Sequence, residues 1–160
     1  MSMFCYQCQE TVKGIGCTVK GVCGKTEDVA KLQDLLIYTI KGVSKIVAEG
    51  KIDIKELDEL NYQFLNSLFM TITNANFDEN SIEAQIKKMM VLRNTIRESV
   101  NIENLHDAAI FVVKTRENML LKASTVGVLA TVNEDIRSLR ELIIYGLKGM
   151  AAYAEHAWNL

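Results

Sequence analysis

The stretch "EDVAKLQDLLIYTIKG" at residues 27–42 decides the fold, because it has the pattern of one face of a long amphipathic helix. Its apolar residues return at spacings of three and four, which is the period of an α-helix. Continued to Val47, they are Val29, Leu32, Leu36, Ile40, Val43 and Val47. Thr26 precedes the pattern as an N-cap and Gly50 follows it as a C-terminal stop. The sequence therefore predicts a helix that begins after Thr26 and stops at Gly50.

The same pattern returns at residues 134–149, where "EDIRSLRELIIYGLKG" aligns without a gap at an offset of 107 residues. The two copies share a tyrosine (Tyr38 and Tyr145) and a terminal Lys-Gly pair, and amphipathicity alone requires neither. We interpret them as a duplicated bundle unit. A single helix cannot bury its apolar stripe alone, so we expect the helix that opens at Asn133 to dock on the first bundle or on another chain.

Three further helices are predicted between the two copies. They run from Asp53 to a break at residues 74–76, from near Asp78 to about Val100, and from about Leu105 to Leu120. Glu56 is the predicted capping-box partner of Asp53. The chain contains no proline, which favours long uninterrupted helices. The predicted fold class is all-α: an up-down bundle of about three to four helices, preceded by a Cys-rich metal-binding loop and followed by the first helix of a duplicated second bundle.

This pattern divides the chain into three predicted units. Residues 1–25 form a Cys-rich cluster-binding segment, residues 26–124 form the helical bundle, and residues 125–160 form a glycine-containing link with the first helix of a truncated second bundle.

Composition excludes several classes of partner. The net charge is −2, so there is no basic excess to attract nucleic acid. No apolar run approaches the roughly 20 residues of a spanning helix, and the N-terminus lacks the pattern of a signal peptide. We therefore expect no membrane association and a cytoplasmic location, where thiols stay reduced and disulfides are rare.

All four cysteines lie in the first 23 residues, as Cys5, Cys8, Cys17 and Cys23. Their spacing is C-x2-C-x8-C-x5-C, with glycines around the last two that let the backbone wrap closely and direct N–H groups at sulfur. Structural zinc more often uses two short Cys-x2-Cys pairs, and only one is present. The spacing favours an iron–sulfur cluster and leaves zinc, disulfides or free thiols as alternatives.

Four stretches carry a resemblance to a known family: "FCYQCQET…GCTVKGVCGK", "LQDLL", "TITNANFD" and "GVLATVNEDIRSLRELIIYGLKGMAAYAEHA". They resemble the N-terminal part of the hybrid cluster proteins, also called prismane proteins or hydroxylamine reductases, which are related to nickel carbon monoxide dehydrogenases. The likeness extends over nearly the whole chain. Residues 80–122 contribute least to it.

The resemblance implies an oxidoreductase in which Cys5, Cys8, Cys17 and Cys23 hold a [4Fe–4S] cluster. That cluster would pass electrons to a hybrid iron–sulfur–oxygen cluster, where hydroxylamine or nitric oxide is reduced. In the family, the ligands of the hybrid cluster lie in later domains, and no cysteine follows Cys23 here. We therefore expect an electron-relay fragment that has no catalytic residues of its own and is inactive alone.

The expected partners are an electron-donor redox protein and the remaining domains of the parent enzyme. Two alternatives stay open. One is a zinc-stapled helical interaction module without a redox role. The other is a bundle whose cysteine loop is empty and whose last helix, residues 133–160, pairs across a homodimer.

Overall fold

The computed structural model describes residues 3–160, apart from the side chain of Glu56. Its regular structure is helical throughout this range, so the predicted all-α fold class is confirmed. The six α-helices are α1 (Glu27–Gly50), α2 (Asp58–Met70), α3 (Glu79–Glu98), α4 (Asp107–Ile110), α5 (Arg116–Val126) and α6 (Glu134–Trp158). None of the helices in the described range is long and apolar enough to cross a membrane.

Helix α1 is the centre of the bundle and contacts α2, α3, α4 and α5. Thr26 caps its start as predicted, because its hydroxyl oxygen accepts the N–H of Val29 at 3.2 Å. Gly50 is predicted to follow the helix as its left-handed stop, and the structure shifts that role by one residue. Gly50 is the last helical residue, and Lys51 takes the left-handed conformation, with φ of 51°. A methyl group at Gly50 would lie 2.9 Å from the side chain of Val100, so close packing explains this glycine.

The second predicted helix begins later than its cap signal. Asp53 accepts the N–H of Lys55 at 3.0 Å, but it starts only a single 3-10 turn at Ile54–Glu56. Helix α2 itself begins at Asp58. The capping-box role of Glu56 depends on a side chain outside the described residues. Helix α2 packs on α3 through a buried bond, in which the Gln85 amide donates to the Ser67 hydroxyl at 2.9 Å.

The fourth predicted helix is wrong as one continuous element. The chain forms one turn at α4, extends at Phe111, and starts α5 after the Thr115 cap. The buried guanidinium of Arg93 explains the break, because it donates to the carbonyls of Ala108 at 2.9 Å and Phe111 at 2.6 Å. A continuous helix would use the Ala108 carbonyl for its own N–H four residues on.

Helix α6 docks on α2, as one of the two expectations for it required. Asn133 caps it by accepting the N–H of Ile136 at 3.0 Å, and the ring of Trp158 packs on Tyr62 with centroids 5.5 Å apart. Of its residues, only Lys148 and Ala151 are buried. The predicted link before it is partly helical, since α5 continues to Val126 and a 3-10 turn spans Val128–Ala130.

Candidate metal centre in the cysteine loop

The cysteine loop, residues 3–25, brings Cys5 and Cys17 opposite each other. Their backbones form an antiparallel bridge: the N–H of Cys5 donates to the Cys17 carbonyl at 3.0 Å, and the N–H of Cys17 donates back at 2.9 Å. The chain reverses between them through Lys13 and Gly14, both at positive φ. Gly16, at φ of 142°, lies against Phe4, where a side-chain carbon would approach the ring to 2.6 Å. The loop therefore pairs the first and third cysteines of the motif.

Cys17 is a buried thiol surrounded by hydrogen-bond donors. Its residue is 4% exposed, and burial alone would raise its pKa. The backbone N–H groups of Val12 and Val22 donate to its sulfur, the Thr11 hydroxyl lies 3.7 Å away, and Lys25 adds positive charge. Together these donors outweigh burial and lower the pKa of Cys17 below its usual value. This environment favours the thiolate, the form that binds metals.

Cys5 is half-buried and lies beside a lysine. Burial is the main influence and raises the pKa of its thiol, while Lys25 and the N–H of Gln7 act in the opposite direction. The ammonium of Lys25 lies 4.0 Å from the Cys5 sulfur and donates to the Gln33 amide oxygen at 2.6 Å. A thiolate at Cys5 therefore has a cation next to it.

The other two cysteines are less enclosed. Cys8 is half-buried, and Cys23 is exposed on the turn that Gly21 begins. A methyl group at Gly21 would lie 3.1 Å from the sulfur of Cys23, so this glycine leaves space for that thiol. Across the described residues, no three histidine, cysteine, aspartate or glutamate side chains are gathered closely enough to hold a metal ion. The four cysteines share one loop without forming a closed set of ligands.

Helix α6 contributes a residue that the sequence analysis did not single out. The ammonium of Lys148 reaches the cysteine loop and the end of α2, where it donates to the side-chain oxygen of Gln7 at 3.3 Å and to the carbonyl of Thr71 at 3.1 Å. Burial lowers the pKa of Lys148 to about 8, with repulsion from Lys25 as the next cause. The sequence signal for Lys148 was its place in the repeat, where Lys41 is the equivalent lysine of the first copy.

Asp34 is a second site residue that the sequence analysis missed, although it lies within the quoted stretch "LQDLL". Burial raises the pKa of its carboxyl to about 7, against the attraction of Lys148 and an N–H bond from Val128. Gly127 packs on this carboxyl so closely that a methyl group there would lie 2.6 Å from an Asp34 oxygen. A cleft of about 1710 Å³ opens here, between the cysteine loop, α1 and α6, with Asp34 and Lys148 in its wall.

Comparison with known proteins gives concordant matches. The model of the Prismane/CO dehydrogenase family matches residues 3–160. Among curated proteins, the chain is 66% identical over 160 residues to a hydroxylamine reductase of Acetivibrio thermocellus. It is 54% identical over 168 aligned residues to one of Clostridium perfringens and 52% identical over 170 to one of Desulfitobacterium hafniense.

Each of these alignments covers 100% of this chain and 30% of the relative, so the chain spans less than a third of their length. These relatives and the family model agree, and together they assign the chain to one family. The chain belongs to the Prismane/CO dehydrogenase family, a family of oxidoreductases whose cofactors are in general iron–sulfur centres.

Proposed function

We propose that this chain is the electron-relay part of a hydroxylamine reductase, and that Cys5, Cys8, Cys17 and Cys23 hold a [4Fe–4S] cluster. The observation that carries the proposal is the environment of the Cys5–Cys17 pair: backbone N–H groups and a lysine face these two sulfurs. N–H groups directed at sulfur stabilise thiolate ligands and set the reduction potential of iron–sulfur clusters. When bound, such a cluster accepts and donates single electrons.

The four thiols have the chemistry that this cluster requires. Their arrangement in the loop means that the loop must move before all four can bind it. Cys5 and Cys17 are already held opposite each other by two backbone hydrogen bonds. Since no three of the described ligand-type side chains are gathered, binding one centre with all four thiols requires movement of the loop. Cys23 is exposed on a glycine-flanked turn, so we expect it to move with little loss of packing. Loading would therefore bring the four thiols together in the loop.

The proposal extends to the domains and partners of the chain. Residues 1–25 would bind the cluster, residues 26–124 would support it, and residues 125–160 would begin a second bundle. The reduction of hydroxylamine or nitric oxide would take place at a hybrid iron–sulfur–oxygen cluster in parts of the enzyme that this chain does not include, so the chain alone would not turn over substrate. An electron-donor redox protein and those remaining domains are the proposed partners.

Anaerobic reconstitution with iron and sulfide tests the assignment. We expect a brown protein with about four irons and four sulfides per chain, the content of one cubane held by four thiolates. Replacing any one of the four cysteines with serine should lower the iron content and bleach the visible absorption. Val19→Ser is the matched control, because it makes an exposed residue of the same loop polar without touching a thiol.

Metal analysis separates this proposal from its alternative. A colourless chain that stays free of iron after reconstitution contradicts the cluster assignment. Stoichiometric zinc that survives aerobic purification would instead support a zinc-stapled interaction module, since zinc thiolate sites need no redox chemistry.

A further inference from the structure

Two of the lysines in the described range are buried, and both lie at the cysteine loop. Lys25 is 1% exposed and Lys148 is 7% exposed, whereas every other lysine is half-buried or exposed. They come from opposite ends of the sequence, one from the loop itself and one from the fourth turn of α6. Burying a lysine ammonium is costly unless it is paired or hydrogen-bonded, so two at one place indicate a local requirement for positive charge.

The ammonium of Lys25 is held by neutral groups. It donates to the Gln33 side-chain oxygen at 2.6 Å, lies 6.0 Å from the centre of the Phe77 ring, and is 4.0 Å from the Cys5 sulfur. The Gln33 amide nitrogen in turn donates to the Asn76 carbonyl at 3.1 Å, which fixes the glutamine with its oxygen toward the lysine. Cys5 is therefore the one group in this set that can carry a negative charge.

Lys148 is held in the same way, by neutral groups. Its two bonds go to neutral acceptors, the side chain of Gln7 and the carbonyl of Thr71. Thr73 also anchors this part of the loop, since its hydroxyl donates to the Gln7 carbonyl at 3.3 Å. The field of Lys148 reaches Cys5, Asp34 and Lys25, which all act on its pKa.

Neither ammonium has a full counter-charge of its own. Among the described side chains, neither forms an ion pair with a carboxylate. Asp34 attracts Lys148, but burial keeps the carboxyl of Asp34 partly protonated at neutral pH, with a pKa of about 7. Glu141 also attracts Lys148. In the described part of the chain, the two ammonium groups are thus held by neutral acceptors and not by carboxylate ion pairs.

We infer that Lys25 and Lys148 are positioning residues for an anionic thiolate-ligated centre: their buried ammonium groups stabilise its negative charge on the Cys5 side and raise its reduction potential. This inference rests on the proposed function. Reduction adds one negative charge to the centre, and a nearby cation in a poorly solvated site favours that state. Lys148 would make α6 part of the redox site, although it contributes no ligand.

The test is the midpoint potential of the full 160-residue chain after reconstitution, measured by anaerobic titration of the visible absorption. Lys148→Met keeps the length of the side chain and removes its charge. We expect at least a tenfold loss in the equilibrium constant for reduction, which corresponds to about 59 mV more negative for one electron. Lys148→Arg keeps the charge and should stay close to wild type. Lys55→Met, at an exposed lysine in the 3-10 turn before α2, controls for net charge.

Iron content and far-ultraviolet circular dichroism are measured on the same samples. A Lys148→Met chain that is folded and fully loaded, but has the wild-type potential, overturns the inference and leaves the proposed function standing. If Lys148→Met does not fold, Lys25→Met provides the same measurement with the same expected direction. A wild-type chain that takes up no iron refutes the proposed function, and this inference with it.

Discussion

Gly42 of α1 packs directly against the backbone of Ala108 in α4. A methyl group at Gly42 would lie 2.0 Å from the Ala108 carbonyl oxygen and 2.5 Å from its carbon. The same carbonyl accepts a hydrogen bond from Arg93, so it cannot move away without losing that partner. The contact fixes the short helix α4 against the centre of the bundle.

Gly42→Ala should therefore destabilise the chain by about 1–3 kcal/mol or more, the range for overpacking a buried site. Gly149→Ala is the matched control, because Gly149 occupies the equivalent position in the second copy of the repeat and a methyl group there meets nothing within 4 Å. In a helix interior that change should stabilise by about 0.5–1 kcal/mol. Chemical denaturation measures both, and equal effects at the two positions would contradict the packing assignment.

Arg93 is fully buried and bonds two carbonyls that no other described side chain bonds, those of Ala108 and Phe111. Arg93→Met should cost about 2 kcal/mol or more, because each buried carbonyl left without a partner carries a penalty. Arg93→Lys should recover only part of the loss, since an ammonium lacks the planar fork that spans both acceptors. Arg97→Met, one turn on and only half-buried, should stay within about 0.5 kcal/mol of wild type. A full rescue by lysine would count against this bonding scheme.

Because the pKa of Asp34 is raised in the folded chain, we expect the free energy of unfolding to fall as pH rises. Its pKa is about 7 in the folded chain and near 3.8 when unfolded, so between these values the folded state binds the extra proton. The free energy of unfolding then decreases from about pH 4 to pH 7. Lys148, Lys25 and Glu141 are the charges that face this carboxyl. Asp34→Asn should match wild type near pH 4 and have the higher free energy of unfolding at pH 7.5, by about 3–4 kcal/mol.

Glu83 should give the opposite dependence of stability on pH, because its pKa is lowered in the folded chain. Hydrogen bonds from Lys87 and Arg116 lower the pKa of its carboxyl, so its stabilisation is complete above the unfolded value and is lost as pH falls through the folded one. Glu83→Gln should therefore be less stable than wild type at neutral pH, and this difference should disappear in acid. A difference between Asp34→Asn and wild type that does not change with pH would refute the assignment for Asp34.

The metal-free chain should react unevenly with iodoacetamide. Cys23 is exposed and should be alkylated first, whereas Cys17 is 4% exposed and should be protected despite its lowered pKa. Peptide mass spectrometry over time gives the order, and the same reaction in denaturant should remove the difference. Equal rates in the native chain would mean that Cys17 is not enclosed as described.

Helix α6 presents an apolar face that, we propose, pairs two copies of the chain through residues 133–160. Leu142 is 69% exposed, although its equivalent in α1, Leu35, is fully buried. Leu142→Glu should weaken self-association in sedimentation equilibrium, while Val91→Glu, at an equally exposed site on α3, should not. A chain that is strictly monomeric at high micromolar concentration would contradict this pairing.

The helix starts that follow from sequence are those with a local signal. Thr26, Asp78 and Asn133 each accept an N–H of the first helical turn, and α1, α3 and α6 begin directly after them. The end of α4 at Ile110 has no such signal, although Thr115 caps α5 in the same way. That end depends on Arg93, which reaches the Ala108 carbonyl from 15 residues away.

The candidate site also has one part that follows from the sequence and one part that does not. The cysteine spacing identifies the candidate ligands, but the repeat gives no hint that its two Lys-Gly pairs differ in environment. Lys41 is exposed and Gly42 is tightly packed, whereas Lys148 is buried and Gly149 is open. Equal residues have opposite roles because α1 is surrounded by helices and α6 contacts mainly α2.

The bond between Lys148 and Gln7 joins residues 141 positions apart. Contacts between distant parts of a chain form late, because the entropy of closing the intervening segment is lost before the contact is gained. The Cys5–Cys17 bridge closes only a short loop and does not depend on the last helix. During synthesis, the cysteine loop would leave the ribosome before α6, so the charge environment of its sulfurs would be completed only after Lys148 has been made.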